Sequence, residues 1–280
     1  MGSPFPLSLL PFPFSPLPFP AYTPGVPAIS VTIITLDEAA RLAGAIESVS
    51  WADEIIVVDC GSTDGTLEIA KRLATRVEVR EWPGYAAQKN LAASLARHDW
   101  VLSLDADERV SPELAASLQT WRRGRPDRAG YRVSRVSWYL GRWLRTTDWY
   151  PDFQLRLYDR RSGAWRTRRV HESVAVDGSV GRLAGELQHY PYASVSDHLR
   201  RIDRYTSLAA LDLHEQGRRA GAAGLLIHPP LAFLRNYLLR GGIRDGRAGL
   251  AVSMLNAAYV LMKQVKLLEI EIGRRSAGGG

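Results

Sequence analysis

Two carboxylates stand one residue apart at the end of an apolar run. Asp105 and Asp107 lie in the segment WVLSLDADE (100–108). Because alternate residues of an extended chain point to the same side, we expect both carboxylates to project together, where like charges repel. A hard divalent cation removes that cost, and Mg²⁺ or Mn²⁺ is commonly held by one or two carboxylates and substrate phosphates. The pair predicts a metal site, and the alternative is a solvated acidic loop.

A second polar segment, DCGSTDGT (59–66), follows another apolar run and precedes a predicted helix. Its glycines and small polar residues form a tight loop whose free backbone N–H groups and helix N-terminus favour negative charge. This is suited to a nucleotide, although an ordinary turn with Asp64 or Ser62 as the N-cap gives the same pattern. The spacing fits neither a calcium loop nor a Walker phosphate loop. A third polar segment, TLDE (35–38), ends the first apolar run.

These segments need strands and helices that bring them to one place. The apolar runs are continuous and rich in β-branched residues, as in strands covered on both faces. Strands are predicted over 29–35, 54–60, 77–80 and 100–105, and helices over 37–50, 65–75 and 85–97. This alternation implies right-handed crossovers and a largely parallel sheet. Ligands bind such sheets beyond the carboxyl ends of the strands, where the three polar segments lie.

Composition and charge narrow the class of protein. The chain has 280 residues, 46% of them hydrophobic, and a single cysteine, Cys60, which excludes a disulfide framework and fits a reducing, cytosolic setting. The net charge of +7 is unevenly distributed, because residues 28–120 have 8 basic and 15 acidic side chains whereas 121–170 have 14 and 4. An acidic half that holds a metal and a basic half that attracts an anionic substrate would produce this division.

The first 27 residues are excluded from the predicted fold. They contain no charged side chain but nine of the sixteen prolines. Those prolines break every apolar run that a secretory signal needs. We expect a disordered or polyproline-like extension, or a start site assigned too early, and the alternative is an apolar tag that touches a membrane.

Four segments together resemble glycosyltransferase family 2, whose members have the GT-A nucleotide-sugar fold. They are TLDE (35–38), DEIIVVDCGSTDGT (53–66), QKN (88–90) and LDADER (104–109). The segments WYPDFQLRLY (149–158), VHE (170–172), LQHY (187–190) and RYTSLAA (204–210) are similar to a bacterial branch that includes lipopolysaccharide-core glucosyltransferases. The resemblance covers about residues 28–270. It implies an α/β GT-A fold, a mostly parallel Rossmann-like sheet flanked by helices, in residues 28–194, followed by a basic helical extension in 195–280.

The resemblance also implies donor-binding and metal-binding residues. The nucleotide-sugar, normally a UDP-sugar, would contact Thr35, Leu36, Glu38, Asp59, Gly61, Ser62, Gln88, Asn90, Asp105 and Ala106. Asp59 would accept a hydrogen bond from the base, and Asp105 would contact the ribose or the metal region. Asp107 would hold Mg²⁺ or Mn²⁺, with His189 as a third ligand. Asp37 stands where relatives usually have Asn, and Cys60 where they usually have Ser.

Inverting transfer in this family needs a carboxylate that takes the proton of the acceptor hydroxyl. Asp152 is the candidate because it lies past the donor-binding half, and Glu172 and Asp148 are alternatives. Asp152 as a turn residue after Pro151 is the structural alternative. His171 and His189 equally fit structural roles, and Cys60 fits a small buried residue rather than a nucleophile.

The basic half leaves the partner open. All 14 basic residues of 121–170 are arginines, interleaved with tryptophans, a pattern suited to nucleic acid, phosphorylated saccharide or anionic lipid. Two uncharged stretches, 220–234 and 248–262, are shorter than the 20 or so residues that span a bilayer. Basic residues flank them, so we expect helices that rest on anionic cytoplasmic lipid, or a buried hairpin or contact between subunits.

The sequence therefore predicts a metal-dependent inverting hexosyltransferase. Its donor is a nucleotide-sugar and its acceptor a glycan or glycolipid, in lipopolysaccharide-core or other cell-envelope synthesis. It would be peripheral on the inner face of the cytoplasmic membrane and does not bind nucleic acid. The alternatives are a sugar nucleotidyltransferase, which would need a Gly-rich basic loop that 29–41 lacks, and a non-catalytic nucleic-acid binder.

Overall fold

The apolar runs form the strands of one large sheet. The computed structural model describes residues 26–124, 126–166 and 172–277. The strands are β1 Ile29–Thr35, β2 Glu54–Asp59, β3 Arg76–Val79, β4 Trp100–Asp105, β5 Glu108–Val110, β6 Gly130–Tyr139, β7 Arg142–Leu144, β8 Asp152–Asp159, β9 Gly163–Arg166, β10 Ser173–Val176 and β11 Val180–His189. The helices are α1 Ala39–Glu47, α2 Thr66–Leu73, α3 Tyr85–Ser94, α4 Pro112–Arg123, α5 Val195–Glu215, α6 Ala222–Leu226, α7 His228–Leu234 and α8 Gly246–Ala277.

The sheet has a parallel half and a mixed half. Its strand order is β3-β2-β1-β4-β8-β6-β11-β5, with β7 paired to β6, and β9 and β10 form a separate hairpin. The first four strands are parallel, whereas β8 is antiparallel to both β4 and β6. Because β8 runs against β4, it begins at the edge where β1, β2 and β4 end. The predicted α/β sheet is confirmed, and the strand and helix order of residues 29–105 agrees with it.

Helices cover both faces of the parallel half. On one face α1, α2 and α4 pack Leu42, Ala70 and Leu114 against side chains of β1, β2 and β4. On the other face the alanines of α3 pack against Ile56 and Val101. Burial on both faces explains why these strands are continuous apolar runs without polar alternation. The polar strand ends are the chemically distinctive part of this layer.

The C-terminal helices form a layer of their own. Helix α8 packs against α5 and α7, and between α7 and α8 the chain forms a π-helical turn, Arg235–Leu239, and a 3₁₀ turn, Gly242–Asp245. The stretch 248–262 is thus part of a longer helix, because Lys263 and Lys266 continue it rather than end it. By length and composition alone the helical segment Gly242–Gly273 is able to cross a membrane, and 22% of its most apolar part is buried inside the protein.

Candidate active site

The two aspartates of the Asp-x-Asp segment have different partners. Asp105 forms two ion pairs, one through each carboxylate oxygen. Oδ1 lies 2.8 Å from Lys89 Nζ, and Oδ2 lies 2.6 Å from Arg156 Nη2. Burial opposes its ionisation, but the charges of Arg156 and Lys89 outweigh burial and hold the pKa of Asp105 well below its usual range. Asp105 is therefore not an uncompensated charge, because two cations of the chain itself neutralise it. Its geometry gives no support to a role as metal ligand.

Asp107 lies beside His189 instead. Its Oδ2 is 3.4 Å from His189 Nε2, while His189 Nδ1 lies 3.2 Å from Ser137 Oγ. Strand β11 brings the histidine there, since its last residue pairs with Glu108 of β5. One carboxylate oxygen and one imidazole nitrogen are suitable ligands for Mn²⁺. Among the described residues no group of three His, Cys, Asp or Glu converges, so a cation here would need donor phosphate and water as its other ligands.

A row of alternating charges leads from Asp105 to the candidate base. Arg156 is 3% exposed and also contacts Glu108 Oε1 at 2.6 Å. Arg135 lies 3.3 Å from the same Glu108 oxygen and 2.6 Å from Asp152 Oδ2. The other oxygen of Asp152 accepts a hydrogen bond from Gln154 at 2.6 Å. Lys89, Asp105, Arg156, Glu108, Arg135 and Asp152 thus form one continuous chain of ion pairs.

The two donor-side loops are held together by hydrogen bonds. Asp37, at φ +52°, accepts from the Thr63 backbone N–H at 2.8 Å, and its own N–H donates to Ser62 Oγ at 2.8 Å. The Ala39 N–H, at the start of α1, donates to Asp64 Oδ2 at 3.1 Å. Asp64 therefore caps the neighbouring helix α1 and also accepts from Thr66 at the start of α2. These contacts fix the shape of the loops without a ligand.

Asp59 lies beneath the loop that follows it. It is 0% exposed, and its carboxylate accepts from the N–H groups of Gly61 and Ser62 at 2.9 and 2.8 Å and from the Ser62 hydroxyl. These hydrogen bonds make Asp59 part of the support of the loop. A nucleotide base could contact its carboxylate only if the loop opened, so the predicted contact with the base stays a prediction. The Thr35 hydroxyl is buried with no partner among the described residues, and Leu36 is 50% exposed at the same edge. Glu38 forms an ion pair with Arg41 at 2.8 Å.

The structure separates Gln88 from Asn90. The buried Gln88 donates to Cys60 Sγ at 3.3 Å, and its Oε1 has no partner among the described residues. Asn90 instead uses both ends of its amide on the backbone of Trp165, at 2.8 and 2.9 Å. Asn90 therefore holds α3 against β9, and its geometry gives no support to a donor contact. Burial, and then the charge of Asp59, raise the pKa of the Cys60 thiol, which is consistent with a non-nucleophilic residue.

The alternative bases have other contacts. Asp148 forms ion pairs with Arg235 and Arg240 and accepts from Asn256, so it joins the sheet domain to the C-terminal helices. Glu172 is partly exposed, and His171 lies outside the described residues. Asp152 is the carboxylate of the three that the charged row connects to Asp105. Its assignment as the base stays a prediction.

Sequence reasoning missed two basic residues of this site. Lys89 and Arg156 are both buried. Simple alternation along β8 does not mark Arg156, because the pairing of β8 with β6 shifts register between Leu155 and Leu157. No local pattern distinguishes Lys89, whose Nζ lies 4.2 Å from the Trp165 ring centroid.

A mostly parallel sheet with an Asp-x-Asp loop and a further carboxylate at its carboxyl edge defines the GT-A class of glycosyltransferase. Residues 30–183 match the model of glycosyl transferase family 2. The chain therefore belongs to that family and is a glycosyltransferase. This assignment removes the support for the two alternatives, a sugar nucleotidyltransferase and a nucleic-acid binder.

Individual relatives agree with the assignment. The lipopolysaccharide core biosynthesis glycosyltransferase LpsC of Rhizobium meliloti is 31% identical over 86% of this chain and 92% of that protein. An uncharacterised glycosyltransferase of Rickettsia typhi is 32% identical over 89% of each chain. The mannosyltransferase PcManGT of Pyrobaculum calidifontis, solved with GDP-Man and Mn²⁺, is 19% identical, with a TM-score of 0.50 over 90% of this chain and 89% of that one. The structural likeness shows the shared fold.

Proposed function

We propose that this glycosyltransferase moves a hexose, with inversion, from a UDP-sugar to a hydroxyl group of a glycan or glycolipid in lipopolysaccharide-core or other cell-envelope synthesis. The observation that carries the proposal is the row of ion pairs from Lys89 to Asp152, which lies along the carboxyl edge of the sheet near Asp107 and His189. The similarity to LpsC supports the cell-envelope assignment.

The donor is assigned to the edge of the sheet formed by the two hydrogen-bonded loops after β1 and β2. Leu36 is half exposed there, and Gly61, at φ +94°, has open space where a side chain would project. The oxygens of Thr35 and Gln88 have no partner among the described residues, but both are buried, so a donor would contact them only if the loops moved. Asp107 and His189 would hold the divalent cation, with Mn²⁺ favoured over Mg²⁺ because one ligand is imidazole. When bound, the cation stabilises the negative charge that develops on the departing diphosphate.

Asp152 is assigned the proton transfer. As the acceptor oxygen forms its bond to the anomeric carbon, the bond from that carbon to the phosphate oxygen breaks and the nucleoside diphosphate leaves. The acceptor proton passes to Asp152 Oδ1, whose only described partner is the amide of Gln154. Arg135 fixes the other oxygen, so the carboxylate keeps one orientation.

The test is nucleotide release and sugar transfer from UDP-glucose, UDP-galactose, GDP-mannose and dTDP-rhamnose, each with Mn²⁺ or Mg²⁺. We expect Asp107→Ala to lower metal-stimulated release at least ~10²-fold, because the diphosphate loses its counter-charge. Asp152→Asn is expected to lower kcat for transfer by about 10²–10⁴-fold with the donor KM unchanged. Asp99→Asn is the matched control, since Asp99 precedes β4 at the opposite edge of the sheet. Normal activity in Asp107→Ala or in Asp152→Asn would remove that residue from the mechanism.

The C-terminal layer is assigned to the inner surface of the cytoplasmic membrane. Exposed apolar side chains crowd α6, α7 and the turns after them, with Leu226 74% and Leu239 84% exposed. Arg244 and Arg247 are exposed beside them, while Arg235 and Arg240 pair with Asp148. Apolar side chains interleaved with exposed cations complement the headgroups and acyl boundary of an anionic bilayer.

Vesicle sedimentation tests this assignment. We expect binding to phosphatidylcholine vesicles with phosphatidylglycerol, weaker binding to phosphatidylcholine alone, and loss of binding in the double variant Leu238→Glu, Leu239→Glu. The control is Leu208→Glu, on the exposed side of α5. If the double variant changes the oligomeric mass and not vesicle binding, the surface is a contact between copies of the chain. Resistance to alkaline carbonate extraction would show a spanning helix and overturn the peripheral assignment.

A further inference from the structure

A cavity lies between the sheet domain and the C-terminal helices. Its volume is about 150 Å³, and it is bounded by α5, by α8 and by the segment before β8. That volume is several times what a single water needs and leaves room for a ligand about the size of one sugar ring. The lining residues that matter here are Trp149, Tyr192, Arg201, Tyr205, Asn256 and Tyr259.

Aromatic rings form the walls of this cavity. Tyr192 stacks on His198 with ring centroids 4.1 Å apart, and Trp149 lies 5.9 Å from Tyr192. Tyr139 fixes the stack from behind, because its hydroxyl lies 2.8 Å from His198 Nδ1. Such rings present apolar faces and polar edges, as the faces and hydroxyl groups of a sugar ring require. The walls are therefore preformed and suited to a saccharide.

Arg201 is the charged group of the cavity. Burial, and then the charge of Arg201, lower the pKa of His198 to about 4, so the histidine is neutral near pH 7. The guanidinium lies 5.4 Å from the Tyr192 ring centroid, and its nearest carboxylate, that of Asp197, is 3.9 Å away. The Arg201 side chain is 41% exposed. Its planar fork is thus available for the two oxygens of a carboxylate or phosphate.

Two other carboxylates near the cavity have basic partners. Asp148 contacts Asn256 of the lining, but Arg235 and Arg240 neutralise it. Asp197 is shared between Arg201 and Arg200, at 3.9 and 3.7 Å. Glu172 is a further carboxylate on this side of the molecule, because it acts on Tyr85 together with Arg201 and Arg204.

The cavity lies between the candidate base and the donor-side helix. Trp149 precedes Asp152 by three residues on the same short segment. On the other rim, α5 approaches Tyr85, the first residue of the helix that carries Lys89. The pKa of Tyr85 is raised, first by burial and then by Tyr205 and Glu172. Two arginines of α5, Arg204 and Arg201, act in the opposite direction. The lining of the cavity is thus linked to the candidate base through Trp149 and to the start of α3 through Arg201 and Tyr205.

We propose that this cavity binds one sugar ring of the acceptor and that the ring carries a carboxylate or a phosphate, which pairs with Arg201. The inference rests on the proposed function and names the acceptor class that the function leaves open. The aromatic walls contact the face of the ring, and Asn256 contacts a hydroxyl group. A neutral sugar would use the same walls without the ion pair.

Direct binding tests the proposal without catalysis. Glucuronate, glucose 6-phosphate, glucose and inorganic phosphate are titrated into the full chain by NMR or calorimetry. We expect both acidic sugars to bind more tightly than glucose, and Arg201→Gln to weaken their binding about tenfold, which is about 1.4 kcal/mol, while glucose binding stays the same. The matched control is Arg200→Gln, since Arg200 lies on the same helix, contacts the same Asp197 and is 73% exposed. The carboxylate and phosphate arms identify which acid the cavity prefers.

Failure of this inference is distinguishable from failure of the proposed function. The inference is wrong if Arg201→Gln and the wild type bind both acidic sugars with equal affinity. It is also wrong if inorganic phosphate binds as tightly as glucose 6-phosphate, because the aromatic walls would then contribute nothing to binding. Arg201→Lys keeps the charge without the fork and should recover part of the affinity. Nucleotide release from UDP-sugars in water is measured in parallel, and its absence in the wild type would contradict the proposed function alone.

Discussion

The loops after β1 and β2, proposed to bind the donor, and the part of the sheet proposed to bind the acceptor are stabilised in different ways. The loops after β1 and β2 are joined by hydrogen bonds between residues 25–28 positions apart, such as Asp37 to Thr63. The acceptor side is joined by ion pairs over longer separations, such as Arg156 with Asp105 and Asp148 with Arg235, which are 51 and 87 positions apart. The first arrangement is contained in two neighbouring strand ends. The second depends on how the whole chain folds.

This difference explains the uneven charge of the sequence. Several arginines of the basic half, residues 121–170, form ion pairs with acidic side chains of residues 28–120. The two halves are therefore not separated by a cleft that only substrate fills. Arg122 pairs with Asp53 at 2.8 Å, and Arg156 and Arg135 pair with Glu108. Interleaved strands β4, β8 and β6 bring the two halves into one sheet. Charge segregation along the chain thus becomes charge neutralisation in the fold, and Arg201 is among the cations left for a ligand.

Loss of Arg156 is expected to have the largest effect, because this residue joins the two regions. Arg156→Met leaves Asp105 with Lys89 alone and Glu108 with Arg135 alone, in a site where the arginine side chain is 3% exposed. Removing one partner of a buried ion pair costs about 3–5 kcal/mol, and we expect the lower end because each carboxylate keeps one cation. Urea denaturation measures the free energy of unfolding.

The control for this variant is Arg161→Met. Arg161 is 65% exposed and pairs with Asp159 and Asp99 at the surface. An exposed pair contributes about 0–1 kcal/mol. Equal losses in the two variants would contradict the idea that the buried row holds the halves of the sheet together.

The pH dependence of stability sharpens the comparison on the acceptor side. The unfolded chain protonates His198 near pH 6.5, whereas the folded protein does so only at about pH 4, because of burial and then Arg201. Between these values the unfolded state binds more protons, so stability falls as the pH drops from about 6.5 to 4, and this group adds nothing further below pH 4. The loss is of order 3 kcal/mol, because the pKa of His198 falls from 6.5 to about 4 and each pKa unit corresponds to about 1.4 kcal/mol.

Denaturation midpoints measured from pH 7 to pH 4.5 give the contribution of His198. We expect the midpoint of His198→Gln to change less than that of the wild type between pH 7 and pH 4.5, whatever the stability of the variant at pH 7. His214→Gln is the control, because His214 is on the same helix and is not buried. A slope that His198→Gln leaves unchanged would mean that other groups cause the acid loss.

The sequence predicts the strands that carry the proposed donor loops, but it does not predict the contacts that depend on the fold of the whole chain. Strands β1, β2 and β4 were predicted because a strand buried on both faces is a continuous apolar run, and the polar segments at their ends mark the site. The pairing of Asp105 with Arg156 was not predicted, because it depends on β8 lying antiparallel beside β4. The contact of Asn90 with Trp165 was not predicted for the same reason, since the two residues are 75 positions apart. The cavity under α5 likewise exists only once α8 has packed.

The smallest expected effect concerns Asp37 and tests whether local contacts alone maintain the donor loops. Its φ of +52° is tolerated by Asn and Asp but costs other side chains roughly 1–2 kcal/mol. Asp37→Asn keeps both the backbone conformation and the oxygen that accepts from Thr63, so we expect stability to change by less than about 0.5 kcal/mol. Asp37→Ala loses both and should cost about 1–2 kcal/mol in urea denaturation. A large loss in Asp37→Asn would instead show that the donor loops, like the acceptor side, depend on charge.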